Sequence, residues 1–184
     1  PLKDSERKVL RASAAAQRGT GAALNIHPTF SEDGVLEIIK ILGDNGADLS
    51  RTVISHQEYL GINNRTIYRK LVDAGCYIEF DTLGHPIVPL LDASTEGRLV
   101  GKRSEVDRIN EIKSLIDEGY LNHILISQDV CGKLLYVTYG GYGYAHILRN
   151  VVPWMRRAGI SDEQIHTMMV ENPKRVLPFT PVKE

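Results

Sequence analysis

The chain is poor in the features that mark secreted, membrane and nucleic-acid-binding proteins. It contains two cysteines among 184 residues, too few for a disulfide framework, so we expect a reducing, cytoplasmic location. Its formal net charge of −1 argues against a nucleic-acid partner. No apolar run approaches the roughly 20 residues that span a bilayer, and no signal-peptide pattern opens the chain. We therefore expect a globular protein without a membrane or nucleic-acid partner.

Glycine-rich nucleotide-binding motifs are also missing. No Gly-x-Gly-x-x-Gly follows a predicted strand, and the chain has no P-loop sequence. Their absence argues against a dinucleotide or a nucleoside triphosphate as the cofactor.

Short apolar segments alternate with amphipathic ones along the chain. The apolar runs predict strands at 22–27, 51–56, 76–81 and 123–129. The periodic segments predict helices at 4–18, 34–45, 63–74, 104–118, 146–158 and from 161 onwards. We expect the helix at 146–158 to tolerate or kink at Pro153, and the last helix to stop at Pro173. This alternation is typical of an α/β fold with a parallel sheet and right-handed crossovers.

A helix precedes the first predicted strand. It resembles the covering helix of a strand that the chain lacks, and four βα units follow it. We interpret residues 1–184 as a single partial domain, the C-terminal half of a TIM (β/α)8 barrel. A small open sheet is the alternative. Residues 82–103 form a long connection without a clear period, a kind of loop that tends to be functional or disordered.

Three of the predicted strands end in a side chain that can bind a metal. These side chains are His27, His56 and Asp129. The carboxyl ends of parallel strands gather at one edge of a sheet, where the chemistry of such folds lies. Imidazole and carboxylate groups meeting there suit a hard or borderline metal ion, and Asp129 could also accept a proton from a metal-bound water. The alternative is that the histidines bond to loop carbonyls and serve the structure alone.

Further polar residues lie close to the predicted strand ends. Asp81 follows the third strand and could orient a ligand histidine, or serve as a turn or N-cap aspartate. His85, in the long loop, could reach the site from above, but we expect it to be a solvated loop histidine. For Cys131, a ligand or a reactive thiol are alternatives to the pocket-wall residue that we expect.

The segment 139–146 is rich in glycine and tyrosine. Glycines permit close backbone approach, and tyrosines offer rigid amphipathic contact surface. We interpret the segment as a substrate-pocket loop, and a packed Ω-loop is the alternative. The substrate-binding candidates are Tyr139, Tyr142, Tyr144 and His146.

Several segments together resemble the phosphotriesterase family of the metal-dependent amidohydrolase superfamily, in particular its phosphotriesterase-related proteins. The three strands with their ligand residues look like strands five, six and eight of that family. The resemblance covers nearly the whole chain and rests on the order and spacing of these segments, which are Leu24-Asn25-Ile26-His27-Pro28, Val53-Ile54-Ser55-His56, Ile124-Leu125-Ile126-Ser127-Gln128-Asp129, the stretch from Tyr139 to Leu148, Asn150-Val151-Val152-Pro153 and Glu171-Asn172-Pro173-Lys174-Arg175.

The resemblance implies a barrel with a binuclear site, commonly two Zn²⁺ ions. His27 and His56 would bind the second ion and Asp129 the first, and Asp129 would accept the proton of a bridging hydroxide that attacks a phosphorus or carbonyl centre. The family's His-x-His pair and its bridging lysine or glutamate would lie before Pro1. Thr82 stands where some phosphotriesterases carry a histidine, which favours ester, lactone or amide substrates over phosphotriesters.

We therefore interpret the chain as part of a metal-dependent hydrolase of small molecules. On its own it should bind metal weakly and turn over poorly. A half barrel exposes strand edges, so we expect a homodimer or assembly with the missing N-terminal half. A non-catalytic α/β binding or assembly module with structural histidines is the alternative. A complete small open-sheet hydrolase with one metal is a third reading.

Overall fold

The fold is known from a computed structural model of the chain, which describes residues 2–60, 65–85 and 104–181. Residues 86–103 of the connection predicted at 82–103, and residues 63 and 64 of the helix predicted at 63–74, lie outside these ranges. Two compact units are present: residues 1–78 together with 173–184, and residues 79–172. The interpretation of 1–184 as one partial domain stays a prediction. No described helix has the length and apolar character needed to cross a membrane.

The predicted parallel sheet is confirmed. Its four strands are β1 (Leu24–Ile26), β2 (Thr52–Ile54), β3 (Tyr77–Phe80) and β4 (Ile124–Ile126), in the order β1-β2-β3-β4. Ile26 lies opposite Ile54 in the parallel β1–β2 pair, and Val53 lies opposite Tyr77 in the β2–β3 pair. Each strand is shorter than predicted at both ends, and 3₁₀ turns at Leu49–Arg51 and Leu121–His123 take up the residues just before β2 and β4.

The first unit also contains helices, of which the first two pack against each other. Helix α1 spans Asp4–Thr20, α2 spans Glu32–Asp44, α3 spans Gln57–Leu60 and α4 spans Thr66–Asp73. The Ser31 hydroxyl caps α2 by accepting a bond from the backbone N–H of Gly34. The buried Gln17 side chain of α1 bonds to both the N–H and the C=O of Asp48, at 2.7 and 3.1 Å. This amide clamp fixes the segment that leads into β2.

The second unit begins at residue 79 and contains β4 and α5 (Glu105–Asp117), which starts at a capping box formed by Ser104 and Asp107. Short 3₁₀ turns at Lys133–Leu135 and Val137–Tyr139 follow β4. The remaining helices are α6 (Val152–Arg157), α7 (Asp162–His166) and α8 (Asn172–Val176), the last of which extends past residue 172.

Both helical prolines follow a π-helical turn. The Val152 N–H bonds to the Ile147 carbonyl just before Pro153, and the Asn172 N–H bonds to the Thr167 carbonyl just before Pro173. A five-residue spacing widens the helix where the proline ring and its missing N–H must be accommodated. Tolerance of Pro153 is thus confirmed. The expected stop at Pro173 is wrong, since α8 continues to Val176.

Asn172 holds the end of the second unit together. Its side chain is fully buried, and its amide donates to the carbonyls of Leu121 and Ile124 at 2.9 and 2.6 Å. These two carbonyls belong to the turn before β4 and to its first residue. Asn172 therefore fixes the position at which β4 begins.

We predict that Asn172→Ala lowers the free energy of unfolding by about 2 to 3 kcal/mol, because it leaves two buried carbonyls without their donor. Urea denaturation measures the change. The matched control is Asn110→Ala on the exposed side of α5, which should stay within about 0.5 kcal/mol of the wild type. Equal stability of the two variants would contradict the role assigned to Asn172.

Candidate functional site

His27 and His56 meet in the first unit. They follow β1 and β2, whose last residues Ile26 and Ile54 lie side by side. Their ring centroids are 4.5 Å apart with an interplanar angle of 72°. The register of the two strands therefore brings the two imidazoles together, as the strand pattern predicts. A metal-binding role for them stays a prediction.

The backbone at two of the predicted ligands is left-handed. Among the described residues other than glycine, only His56, with φ of 57°, and Asp129, with φ of 41°, have positive φ. This conformation costs an L-residue about 1 kcal/mol and persists where the surroundings impose it. Strained residues of this kind cluster at functional sites, and two of the three predicted ligands have this backbone conformation. Their role as ligands stays a prediction.

The donor set of the histidine pair suits a borderline metal. His27 Nδ1 lies 3.1 Å from the Pro28 carbonyl and must donate to it, because a carbonyl can only accept. The lone pair of His27 is then on Nε2, the arrangement found in histidines that bind zinc. A 2.5 Å hydrogen bond from the Ser55 hydroxyl to Asn25 Oδ1 links the two strand ends. The residues present therefore fit an imidazole-bound ion.

Asp129 lies in the second unit, where its backbone carbonyl contacts the imidazole of His85. His85 Nε2 is 2.8 Å from the Asp129 carbonyl oxygen and 3.9 Å from its Oδ2. The His85 side chain is only 8% exposed, so the expectation of a solvated loop histidine is wrong. A turn with the His85 N–H bonded to the Thr82 carbonyl brings the imidazole inwards. In the sequence, only the position of His85 five residues after β3 pointed to a place near the strand ends.

Asp81 follows β3 directly and is buried, as is its neighbour Thr82. Burial fits an orienting carboxylate better than a solvated turn residue, because a buried carboxylate needs partners. Its assignment to a ligand histidine stays a prediction.

The loop that contains the candidate tyrosines is compact. The N–H groups of Gly141 and Gly143 bond to the carbonyls of Tyr136 and Leu135 at 3.0 and 2.9 Å. A Cβ on Gly141 would lie 2.3 Å from the Leu135 carbonyl, so this close approach requires glycine. The tight backbone leaves three aromatic side chains exposed, those of Tyr139, Tyr142 and Tyr144. The loop thus combines the packing of an Ω-loop with a displayed aromatic surface.

His146 differs from these tyrosines because it is 1% exposed. The Tyr142 ring covers it at 4.3 Å between centroids, and its Nδ1 lies 2.9 Å from the Asn150 amide nitrogen. Burial lowers the pKa of His146, and the carboxylate of Glu105, 3.8 Å from its Nε2, partly opposes that effect. His146 is thus a packed histidine beneath the loop, and a substrate contact for it stays a prediction.

We predict that the strain at His56 appears in a pair of substitutions. His56→Gly should unfold with a free energy about 1 kcal/mol higher than His56→Ala, because glycine adopts positive φ without a steric penalty. The matched pair is His27→Gly and His27→Ala, where φ is negative and alanine should be the more stable by about 0.5 to 1 kcal/mol. Denaturant titration gives all four values. If the alanine variant has the higher free energy of unfolding at both positions, His56 is unstrained.

Comparison with known proteins places this arrangement in context. The family model described as "Phosphotriesterase family" matches residues 1–177. An N-acetyltaurine hydrolase of Dictyostelium discoideum is 44% identical over 177 residues, which are 96% of this chain and 46% of that protein. A phosphotriesterase-related protein of Nematostella vectensis is 42% identical over 179 residues, 97% of this chain and 50% of that protein.

Solved structures agree with the sequence matches. A resiniferatoxin-binding protein from Rhodobacter sphaeroides superposes with a TM-score of 0.83 and 34% identity, over 95% of this chain and 47% of that one. The phosphotriesterase-like neighbours are TIM-barrel proteins, and this chain covers about half of each. It likewise spans about half the length of the curated relatives it matches. The fold predicted from the strand pattern is confirmed, and the chain belongs to the phosphotriesterase family.

Proposed function

We propose that this chain supplies part of the active site of a metal-dependent hydrolase that cleaves small ester, lactone or amide substrates. The observation that carries the proposal is the meeting of His27 and His56 at adjacent strand ends, 4.5 Å apart, with left-handed backbone at His56. Hydrolases among the relatives, such as the Dictyostelium enzyme, support the reaction class.

Each proposed ligand has a distinct task. His27 and His56 would hold one divalent ion through imidazole nitrogens, and the carboxylate of Asp129 would hold a second. Such ions would supply Lewis acidity to the scissile carbonyl and would make a water molecule acidic enough to lose its proton near neutral pH. Asp129 accepts that proton, since a carboxylate is a competent base at this position. The His85 imidazole, bonded to the Asp129 carbonyl, keeps the base in place.

The substrate class follows from residues around the strand ends and from the relatives. Thr82 is buried and offers no imidazole, which supports an acyl centre over a phosphotriester. The name of the Dictyostelium relative specifies an amide, N-acetyltaurine. We therefore propose an N-acyl amide or a related ester or lactone. The exposed tyrosines Tyr139, Tyr142 and Tyr144 offer the contact surface for its apolar part.

A non-catalytic module with structural histidines is the second candidate. The hydrogen bond between His27 Nδ1 and the Pro28 carbonyl favours it as well, because a structural histidine at a strand end would make the same bond. The two candidates differ in whether the imidazoles bind metal.

We predict that the chain binds Zn²⁺ in isothermal titration calorimetry and that His27→Ala combined with His56→Ala removes the heat assigned to the histidine pair. Either single substitution should weaken this binding by at least about tenfold. The matched control is His166→Ala, which removes an exposed imidazole that contacts Glu171.

The control should titrate like the wild type. An unchanged titration curve in the double variant would instead support the structural role of the histidines. Circular dichroism of each variant shows whether it is folded, so that loss of binding is separated from loss of structure.

A further inference from the structure

Three different metal-binding side chains converge in the second unit. His85, Asp129 and Cys131 each present one ligand atom, and these three atoms lie within 4.8 Å of one another. We propose that they form a separate cation site that takes a soft or borderline divalent ion such as Zn²⁺ through the Cys131 sulfur. The proposal shares Asp129 with the proposed hydrolytic site but does not depend on it, because none of its tests measures activity.

The backbone builds this cluster around one carbonyl. The Asp129 carbonyl accepts a 2.7 Å bond from the Cys131 N–H, which closes a three-residue turn. The same oxygen lies 2.8 Å from His85 Nε2. Left-handed backbone at Asp129, with φ of 41°, directs the chain into this turn. The three side chains are thus held around a common point by the fold of the strand end itself.

The geometry needs little adjustment to bind an ion. Donors around a tetrahedral zinc lie about 3.5 Å apart, given bond lengths of about 2.0 to 2.3 Å. The three ligand atoms, which lie within 4.8 Å of one another, therefore have to move closer by about 1 Å. The exposed Cys131 side chain has room to make that movement. His85 is mostly buried and stays in place. Three protein ligands leave a fourth position for solvent.

Binding changes the protonation of two ligands. The Cys131 thiol releases its proton to solvent when its sulfur coordinates the ion. If His85 binds through Nε2, the proton moves to Nδ1 and the bond to the Asp129 carbonyl is given up. The competing bond makes this site weaker than a closed four-ligand zinc site.

Sulfur gives the site a signature that the hydrolytic ligands lack. His27, His56 and Asp129 offer only nitrogen and oxygen. The other cysteine, Cys76, is fully buried, and burial raises the pKa of its thiol to about 12. A sulfur-to-metal charge-transfer band therefore reports on Cys131 alone.

The test is titration of the reduced, metal-stripped chain with Co²⁺, followed by near-ultraviolet absorption. The wild type should develop a sulfur-to-cobalt charge-transfer band. Cys131→Ser should lose the band, and His85→Ala should need at least about tenfold more Co²⁺ to reach half of it. Cys76→Ala and the variant that combines His27→Ala with His56→Ala should both keep it.

Alkylation gives a second readout that needs no variant. Zn²⁺ should slow the reaction of Cys131 with iodoacetamide at least about tenfold, because coordination withdraws electron density from the sulfur and shields it from the reagent. A band that persists in Cys131→Ser, a wild type without a band, or an alkylation rate unaffected by Zn²⁺ would overturn the proposal. If the variant that combines His27→Ala with His56→Ala loses its calorimetric heat but keeps the charge-transfer band, the two sites are distinct.

Discussion

The chain leaves β2 and β4 through left-handed backbone at His56 and Asp129. His56 lies two residues after the end of β2, and Asp129 lies three residues after the end of β4. Placement of the candidate ligands therefore depends on a backbone conformation that costs about 1 kcal/mol at each position and that local packing must impose.

Hydrogen bonds from nearby side chains fix the segments around the two left-handed residues. Gln17 clamps the segment that leads into β2, and Ser55 bonds to Asn25 across the two strand ends. In the second unit, Asn172 fixes the start of β4. The Asp129 carbonyl there accepts a hydrogen bond from the Cys131 N–H and lies within bonding distance of His85 Nε2. Buried polar side chains thus position the strand ends from both sides.

Much of the fold could be predicted from the sequence because period and composition are local signals. Apolar runs ending in His27, His56 and Asp129 located the strands and the side chains of interest. The π turns before Pro153 and Pro173 could not be predicted, since they depend on how a helix relaxes around a missing N–H. The burial of His85 was also missed, because a tertiary contact with Asp129 decides it and no periodic pattern precedes it.

Family membership supports the fold and the reaction class, whereas the side chains at the strand ends support the proposed site. The family match covers residues 1–177, whereas the hydrolase names belong to relatives about twice as long as the matched segment. What this chain contributes is a pair of neighbouring histidines, His27 and His56, together with a proposed base at Asp129 and a buried Thr82. A second, sulfur-containing cation site beside the same carboxylate would make Asp129 sensitive to soft metal ions.

The most direct test is hydrolysis of N-acetyltaurine by a fusion that joins the unmatched half of the Dictyostelium relative to this chain. The account predicts zinc-dependent hydrolysis, reduced at least about a hundredfold by Asp129→Asn and by His27→Ala combined with His56→Ala. Full activity of those variants in a folded, zinc-loaded fusion would contradict the account. So would a folded, zinc-loaded fusion that hydrolyses no ester, lactone or amide.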